Sequence, residues 1–391
     1  MKERYYSLDV FRGATVALMI LVNNQGSTPY APLDHASWHG CTPTDLVFPF
    51  FLFAVGNAMA FVMPRFHEAG TSFFLKKVIK RTLLIFFIGF FLNWMPFFMW
   101  KNHFSFIGFK PWEWIGDDGD LHGVRILGVL QRIAVCYFFA SLIVYFFKPK
   151  AVYIISISLL LVYWGLCYWL GQPGSPYSLQ GYFGVGVDKA ILHDVHMYHG
   201  EGVAFDPEGI TSNLSAIVQV VGGYFVGRYI QLKGKTYEML SNLFIAAVAL
   251  IFVGFCWDIV FPVNKKIWTS SYVLYTTGLA ILTLCTAIFV IEFKNGRGAW
   301  SRFFDVFGKN PLFIFVLSGF LPRVLGLVRI KVTNTAGVPH FTNPFGWLYL
   351  NVCAPLFSDE RNASLLYAIL LIIFYWFIVY VLDKKKVYVR V

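Results

Sequence analysis

The chain has 391 residues, 57% of them hydrophobic and 19% aromatic, with only 14% charged. A soluble domain has nearer a quarter of its residues charged, so composition excludes an ordinary soluble fold and points to a polytopic membrane protein. The formal charge of +11 comes from short Lys and Arg clusters between apolar runs rather than from one basic face; this argues against a nucleic-acid partner and matches the pattern that orients helices in a lipid bilayer.

A spanning helix needs about 20 mainly apolar residues. Runs of that kind predict spans at 8–24, 44–63, 82–99, 124–147, 151–170, 212–231, 239–261, 271–291, 303–321 and 364–382. The expectation is an all-α polytopic membrane helix bundle of about ten transmembrane helices, forming a single domain over 1–391. Arg12 interrupts the first apolar run, which lacks a small-residue cleavage site, so no cleavable signal is expected there. The loop at 171–211 is Gly-rich and long enough to be functional. VLGLVRIKVTNTAGVPHF (324–341) alternates β-branched residues around a turn signal and predicts a small periplasmic hairpin. The stretch 345–357 is too short to span and contains Pro355, so it is expected to re-enter the membrane or lie at its surface.

With ten spans, one side of the membrane receives Lys2, Arg4, Arg65, Lys76, Lys77, Lys80, Arg81, Lys148, Lys150, Arg228, Lys233, Lys235, Lys294, Arg297, Arg302, Lys384, Lys385, Lys386 and Arg390. That side is the cytoplasm by the positive-inside rule, with both termini in it. The opposite loops carry Glu113, Asp117, Asp118, Asp120, Asp188, Asp194, Glu201, Asp206 and Glu208 with many aromatic residues. His35 falls on this outer side, in a polar stretch that also holds Asn23, Asn24, Asp34, Trp38, His39, Thr42 and Asp45. Ionisable groups at a membrane edge are costly and mark functional sites.

Other polar residues admit two readings each. Asp9 and Arg12 are spaced to face one another on the first helix, as a structural pair or with Arg12 holding an anionic ligand. Gln131 and Arg132 lie deep in GVLQRIAV, where an Arg must face the bundle; Arg132 either pairs with an internal carboxylate or meets a phosphate. Thr42 or Thr44 is placed to cap the second span, with Asp45 in its first turn. Pro49 and Gly56 permit a kink under His35. His193, His196 and His199 are spaced HxxHxxH but lack a fixed metal signature, so no metal is expected. The DPEG stretch (206–209) leads into the sixth span and serves in part as a helix start. The six cysteines show no CxxC pair and read as small apolar fillers. There is no GxSxG, P-loop or GxGxxG pattern.

LDVFRG (8–13), LVNN (21–24), HASWHGCTPTDLVFPFFLFAVGNAM (35–59), GVLQRIAV (128–135), HMYH (196–199), DPEG, KKIWTSSYVLYTTG (265–278) and FGKNP (307–311) together resemble the heparan-α-glucosaminide N-acetyltransferase family, and its bacterial branch in particular. The HASWxGxTxxDLVFPxF block is the specific part. The resemblance implies a bacterial inner-membrane acetyltransferase that takes acetyl from cytoplasmic acetyl-CoA, needs no metal, delivers the group to a sugar or oligosaccharide on the far side and forms a homodimer. It assigns catalysis to His35 and to Asn23, or its neighbour Asn24, with Asp45 beside them. Arg12, Gln131 and Arg132 are then expected at CoA, and Trp38, His196, Asp206, Glu208 and Trp268 at the acceptor. His39 stands where the family commonly has Asn.

These residue types suit acyl transfer. A neutral imidazole at His35 can deprotonate the acceptor or attack the thioester itself, and Asp34 or Asp45 can orient it. An Asn23 amide can hydrogen-bond the developing oxyanion, a contact whose loss typically costs about 2.7–4 kcal/mol. The competing reading is a sugar or oligosaccharide permease, against which stands the lack of the paired repeats many carriers show.

Overall fold

The computed structural model describes residues 5–101, 105–116, 119–333 and 339–389. Lys2, Arg4, Arg390, the acidic pair Asp117 and Asp118, and the predicted turn near 334–338 lie outside them. In chain order the elements are α1 (Tyr6–Asn23), α2 (Val47–Ala69), α3 (Thr71–Trp94), β1 (Phe98–Lys101), β2 (Ser105–Phe109), β3 (Glu113–Ile115), β4 (Leu121–Gly123), α4 (Val129–Phe146), α5 (Pro149–Leu170) and α6 (Gly184–Leu192). They continue with α7 (Asn213–Lys233), α8 (Tyr237–Asp258), α9 (Ser270–Ile288), α10 (Ala299–Lys309), α11 (Pro311–Leu325), β5 (Ile330–Thr333), β6 (Pro339–Thr342), α12 (Pro344–Leu348) and α13 (Glu360–Lys384).

Local chemistry sets the helix ends. Thr236 accepts a hydrogen bond from the Met239 amide and Asp359 one from the Arg361 amide, capping α8 and α13. Gly70, at φ 86°, closes α2 in a conformation a side chain would resist. α10 and α11 meet at 77°. Pro311 lacks the amide that would continue α10, and the Asn310 side chain instead bonds the Val387 carbonyl and the Val389 amide.

Among the described residues, seven helical segments are long and apolar enough to cross a membrane: α1, Pro43–Ala69, α4, α5, α8, Ser270–Phe293 and α13. The bent pair α10 and α11 makes an eighth if it is one span. The two further spans expected at 82–99 and 212–231 coincide with α3 and α7, which are 24 and 21 residues long but more polar. α3 opens with Lys76, Lys77, Lys80 and Arg81. α7 carries Asn213, Gln219, Arg228 and Gln231 and is buried along most of its length, packing on α2, α4, α5 and α9. A helix whose neighbours are protein need not be apolar all round, which is why hydropathy and architecture part company there.

The tightest crossings are built on glycine. A Cβ at Gly56 would collide with the Val220 carbonyl and one at Gly223 with the Phe53 carbonyl, so α2 and α7 touch backbone to backbone. Gly13 and Gly308 do the same for α1 and α10.

Among the described residues, three antiparallel strand pairs, β1 with β2, β3 with β4 and β5 with β6, edge one end of the bundle. The hairpin expected after the ninth span is β5 and β6, pairing Ile330 with Thr342 and Thr333 with Pro339. The 345–357 stretch is a broken helical run against α13, too short to span. Side-chain bonds tie the loops of this end together: Ser27 and Thr28 to Glu360, Trp38 to Tyr177, and His196 to Val124. The other end carries ion pairs of Glu292 with Lys235 (3.2 Å) and Arg297 (3.1 Å), and of Lys309 with Asp305 (2.8 Å) and Asp383 (3.0 Å).

Candidate active site

The segment between α1 and α2 folds around one carboxylate. Asp45 is 1% exposed. Its Oδ2 accepts from the Ala36 amide (3.1 Å), the Thr42 amide (3.0 Å) and the Thr42 hydroxyl (3.1 Å), and its Oδ1 lies 2.6 Å from His35 Nδ1. The Thr42 and Asp45 bonds make a reciprocal capping box at the start of the second span. Because a carboxylate only accepts, Nδ1 carries the proton, which leaves the ring's lone pair on Nε2. Asp34 sits behind, its Oδ1 accepting from the His35 amide at 2.8 Å. The imidazole is 46% exposed and borders a cavity of about 290 Å³.

A second segment, 263–269, reaches the same spot from the other half of the chain. The Gly40 amide donates to the Val263 carbonyl (2.7 Å), Asn264 Oδ1 accepts from the Ile267 amide (3.0 Å), and the Ser215 hydroxyl donates to the Trp268 carbonyl (2.5 Å). Trp268 is held at φ 50°, a left-handed conformation rare for a bulky residue, and that bend turns its indole to the cavity wall. Lys265 thereby reaches the dyad: its Nζ is 3.0 Å from His35 Nδ1, 3.4 Å from Nε2 and 3.4 Å from Asp45 Oδ1. Burial lowers the Lys265 ammonium below the usual lysine range, while Asp45 and Glu208 oppose the shift.

Two more cations border the cavity, both firmly held. Lys266 donates to the Ser37 carbonyl and to Glu201, each at 2.7 Å, and lies over the Trp38 ring. Arg125 forks onto Asp206 (2.6 and 3.0 Å), reaches Glu208 (2.5 Å) and stacks over Tyr198. Trp38 donates to the Tyr177 carbonyl at 2.8 Å, presenting its ring beside Phe205.

Of the residues singled out from sequence, Asn23, His35, Trp38, Asp45, Glu208 and Trp268 line this one cavity. Asp206 stands behind it, accepting from Arg125 and from the Glu208 amide (3.0 Å). Arg132 stands behind Trp268, its guanidinium 5.0 Å from the indole and bonded to Ser212 and the Gly209 carbonyl (3.3 Å). Gln131 bonds the Ile126 carbonyl and borders a neighbouring polar cavity of about 340 Å³, whose wall also contains Asn23, Asn24 and Arg125. His196 is buried between the Val124 carbonyl (2.9 Å) and Glu113 (3.1 Å), under Trp112, and away from the cavity. No group of three potential metal ligands occurs among the described residues.

Arg12 lies toward the basic end, paired with Asp9 and bordering a cavity of about 680 Å³ that also contains Arg65 and Asn57. A smaller cavity of about 110 Å³ shares Arg12, Ala54 and Ala58 with it, and shares Phe51 and Phe315 with the His35 cavity. The two Phe rings are edge-on, 6.3 Å apart. Arg12 Nε, Arg81 Nε and Asn57 Nδ2, all beside these inner cavities, are buried donors without a partner among the described residues. Lys265, Lys266, Arg125, Tyr198 and the Phe51/Phe315 pair were not singled out from sequence, and Glu201 was named only among the acidic residues of the outer loops. Lys265 and Lys266 open the KKIW block in which only Trp268 was picked, and that block was the available signal.

A family model described as "Heparan-alpha-glucosaminide N-acetyltransferase, catalytic" matches residues 4–173. Two curated relatives carry the name heparan-alpha-glucosaminide N-acetyltransferase. The human one is 30% identical over 378 aligned residues, covering 81% of this chain, and the mouse one is 27% identical over 369, covering 80%. The chain spans about half the length of these relatives, 53% of each. The matched segment contains α1, the His35 and Asp45 loop and α2 to α5, and over it the chain is similar to the catalytic region of the heparan-alpha-glucosaminide N-acetyltransferases.

Proposed function

We propose that the chain is an integral membrane acetyltransferase of a bacterial inner membrane, moving acetyl from cytoplasmic acetyl-CoA to an amino or hydroxyl group of a sugar on the extracytoplasmic side. The observation that carries the reading is the Asp45-oriented imidazole at a cavity whose Phe51 and Phe315 wall is shared with a smaller cavity that reaches Arg12 toward the basic end. That end is cytoplasmic by its Lys and Arg content. Arg12, Arg81 and Asn57 offer unpartnered donors along the inner cavities, suited to the phosphate and amide groups of CoA. At the other end, Trp38 gives a face for a sugar ring, and Glu201 and Glu208 give carboxylates for a cationic acceptor.

His35 acts as general base. Its Nε2 takes the proton of the acceptor nitrogen or oxygen as that atom attacks the thioester carbonyl, while Asp45 holds the ring and stabilises the imidazolium. The Asn23 amide, on the same cavity wall, is a donor for the oxyanion.

The test is transfer of label from radiolabelled acetyl-CoA to a panel of amino sugars, using the purified full chain and His35→Ala. Loss of a general base typically lowers the rate by about 10²-fold to 10⁴-fold, and that is the expected outcome. Transfer unchanged in His35→Ala removes the assignment, and label retained on wild-type protein without acceptor makes His35 an acetyl carrier instead. Sugar uptake by vesicles with no transfer supports a permease.

A further inference from the structure

We propose that Lys265 is a second catalytic residue, whose ammonium meets the negative charge that develops on the thioester oxygen beside His35. The inference rests on the acetyltransferase reading above and adds a residue to it. Three features of the structure carry it.

The first is position. Nearly equal distances of 3.0 and 3.4 Å to the two ring nitrogens place Nζ beside the imidazole, rather than in line with either nitrogen. A group reacting at Nε2 is therefore within its reach. The second is availability. Lys266 and Arg125 are held by carboxylates at 2.5 to 2.7 Å, whereas the carboxylate nearest Lys265 already serves His35, Ala36 and Thr42 and lies 3.4 Å away. Among the described residues that line the cavity, Lys265 is the cation least tightly paired with a carboxylate. The third is rigidity. The turn that carries it is clamped by Gly40, Thr269, Asn264 and Ser215, so the ammonium is aimed before substrate arrives.

In the step itself, the acceptor lone pair forms a bond to the carbonyl carbon, and the C=O π pair moves onto oxygen next to Lys265. The acceptor proton passes to His35 Nε2. Collapse restores the C=O bond and breaks the C–S bond, and CoA leaves as a thiolate that takes the proton back from the imidazolium. No further reactant is required.

The experiment compares wild type, Lys265→Met, Lys265→Gln, Lys265→Arg and His35→Ala in the acetyl-transfer assay, with thermal melting in detergent as the check on folding. Expected for Lys265→Met and Lys265→Gln is a kcat lower by about 10²-fold to 10³-fold, the range for one lost oxyanion donor, with the KM for acetyl-CoA unchanged. Lys265→Arg is expected to recover part of the rate. A residue that only neutralises Asp45 would move the melting temperature without splitting kcat from KM. Wild-type kcat in a folded Lys265 variant, beside an inactive His35→Ala, overturns the inference and leaves the site reading intact; wild-type transfer in His35→Ala overturns the site reading itself. If neither neutral variant folds, Lys265→Arg decides: an intermediate kcat with unchanged KM supports the proposal, and wild-type kcat or a raised KM alone refutes it.

Discussion

The Asp45 carboxylate divides its two oxygens between tasks that the sequence presented as alternatives. Oδ2 closes the capping box with Thr42, and Oδ1 holds His35. The motif made His35, Asn23 and Asp45 visible; Lys265 was not, because it lies 230 residues from His35 and only the folded turn at 263–269 makes them neighbours. Asp188, in α6, is a different kind of buried acid. It is 2% exposed, it accepts from the Ile210 amide, and burial pushes its carboxyl up from 3.8 to about 7. A carboxyl whose pKa is raised by folding favours the folded state most when protonated in both states. Its contribution is therefore full below 3.8, fades as pH rises because the unfolded chain ionises first, and is gone above about 7. Melting of detergent-solubilised protein between pH 4 and 8 is expected to show this decline, and Asp188→Asn is expected to lack that component. An identical pH profile in the two proteins would refute it.

Helices were legible from apolar runs because a spanning segment satisfies its own backbone and reads locally. β1 to β4 were not, since strands of three to five residues exist only through cross-strand pairing and lay in what read as a polar loop. The contact of α2 with α7 shows what a hydropathy window misses. Adding a methyl at Gly223 presses on the Phe53 carbonyl, where neither backbone can give way. Gly223→Ala is expected to destabilise by roughly 1–3 kcal/mol, the usual cost of overpacking, seen as a lower melting temperature. Gly186→Ala in α6, with nothing within 4 Å of its added methyl, serves as the control and is expected to melt like wild type.

The two ends of the molecule differ in kind: one gathers hairpins, aromatic loops and the His35 cavity, the other a dense set of Lys and Arg. The proposed orientation is testable through the exposed Lys331 in β5 and Lys150 in α5. In a Cys256→Ser background, a membrane-impermeant maleimide applied to intact spheroplasts is expected to label Lys331→Cys and to spare Lys150→Cys until the membrane is opened. The reverse pattern would place the His35 cavity in the cytoplasm and sink the cross-membrane reading. Apolar content and the spacing of basic clusters were enough to dictate a helical membrane bundle and to suggest its sidedness, because partition into lipid and charge asymmetry are properties of local segments. Which polar groups meet was settled by packing alone. Folding brings Lys265, Arg125 and Glu208 to line one cavity with His35 and leaves His196 and Arg132 out of that lining, because such contacts depend on segments far apart in the chain.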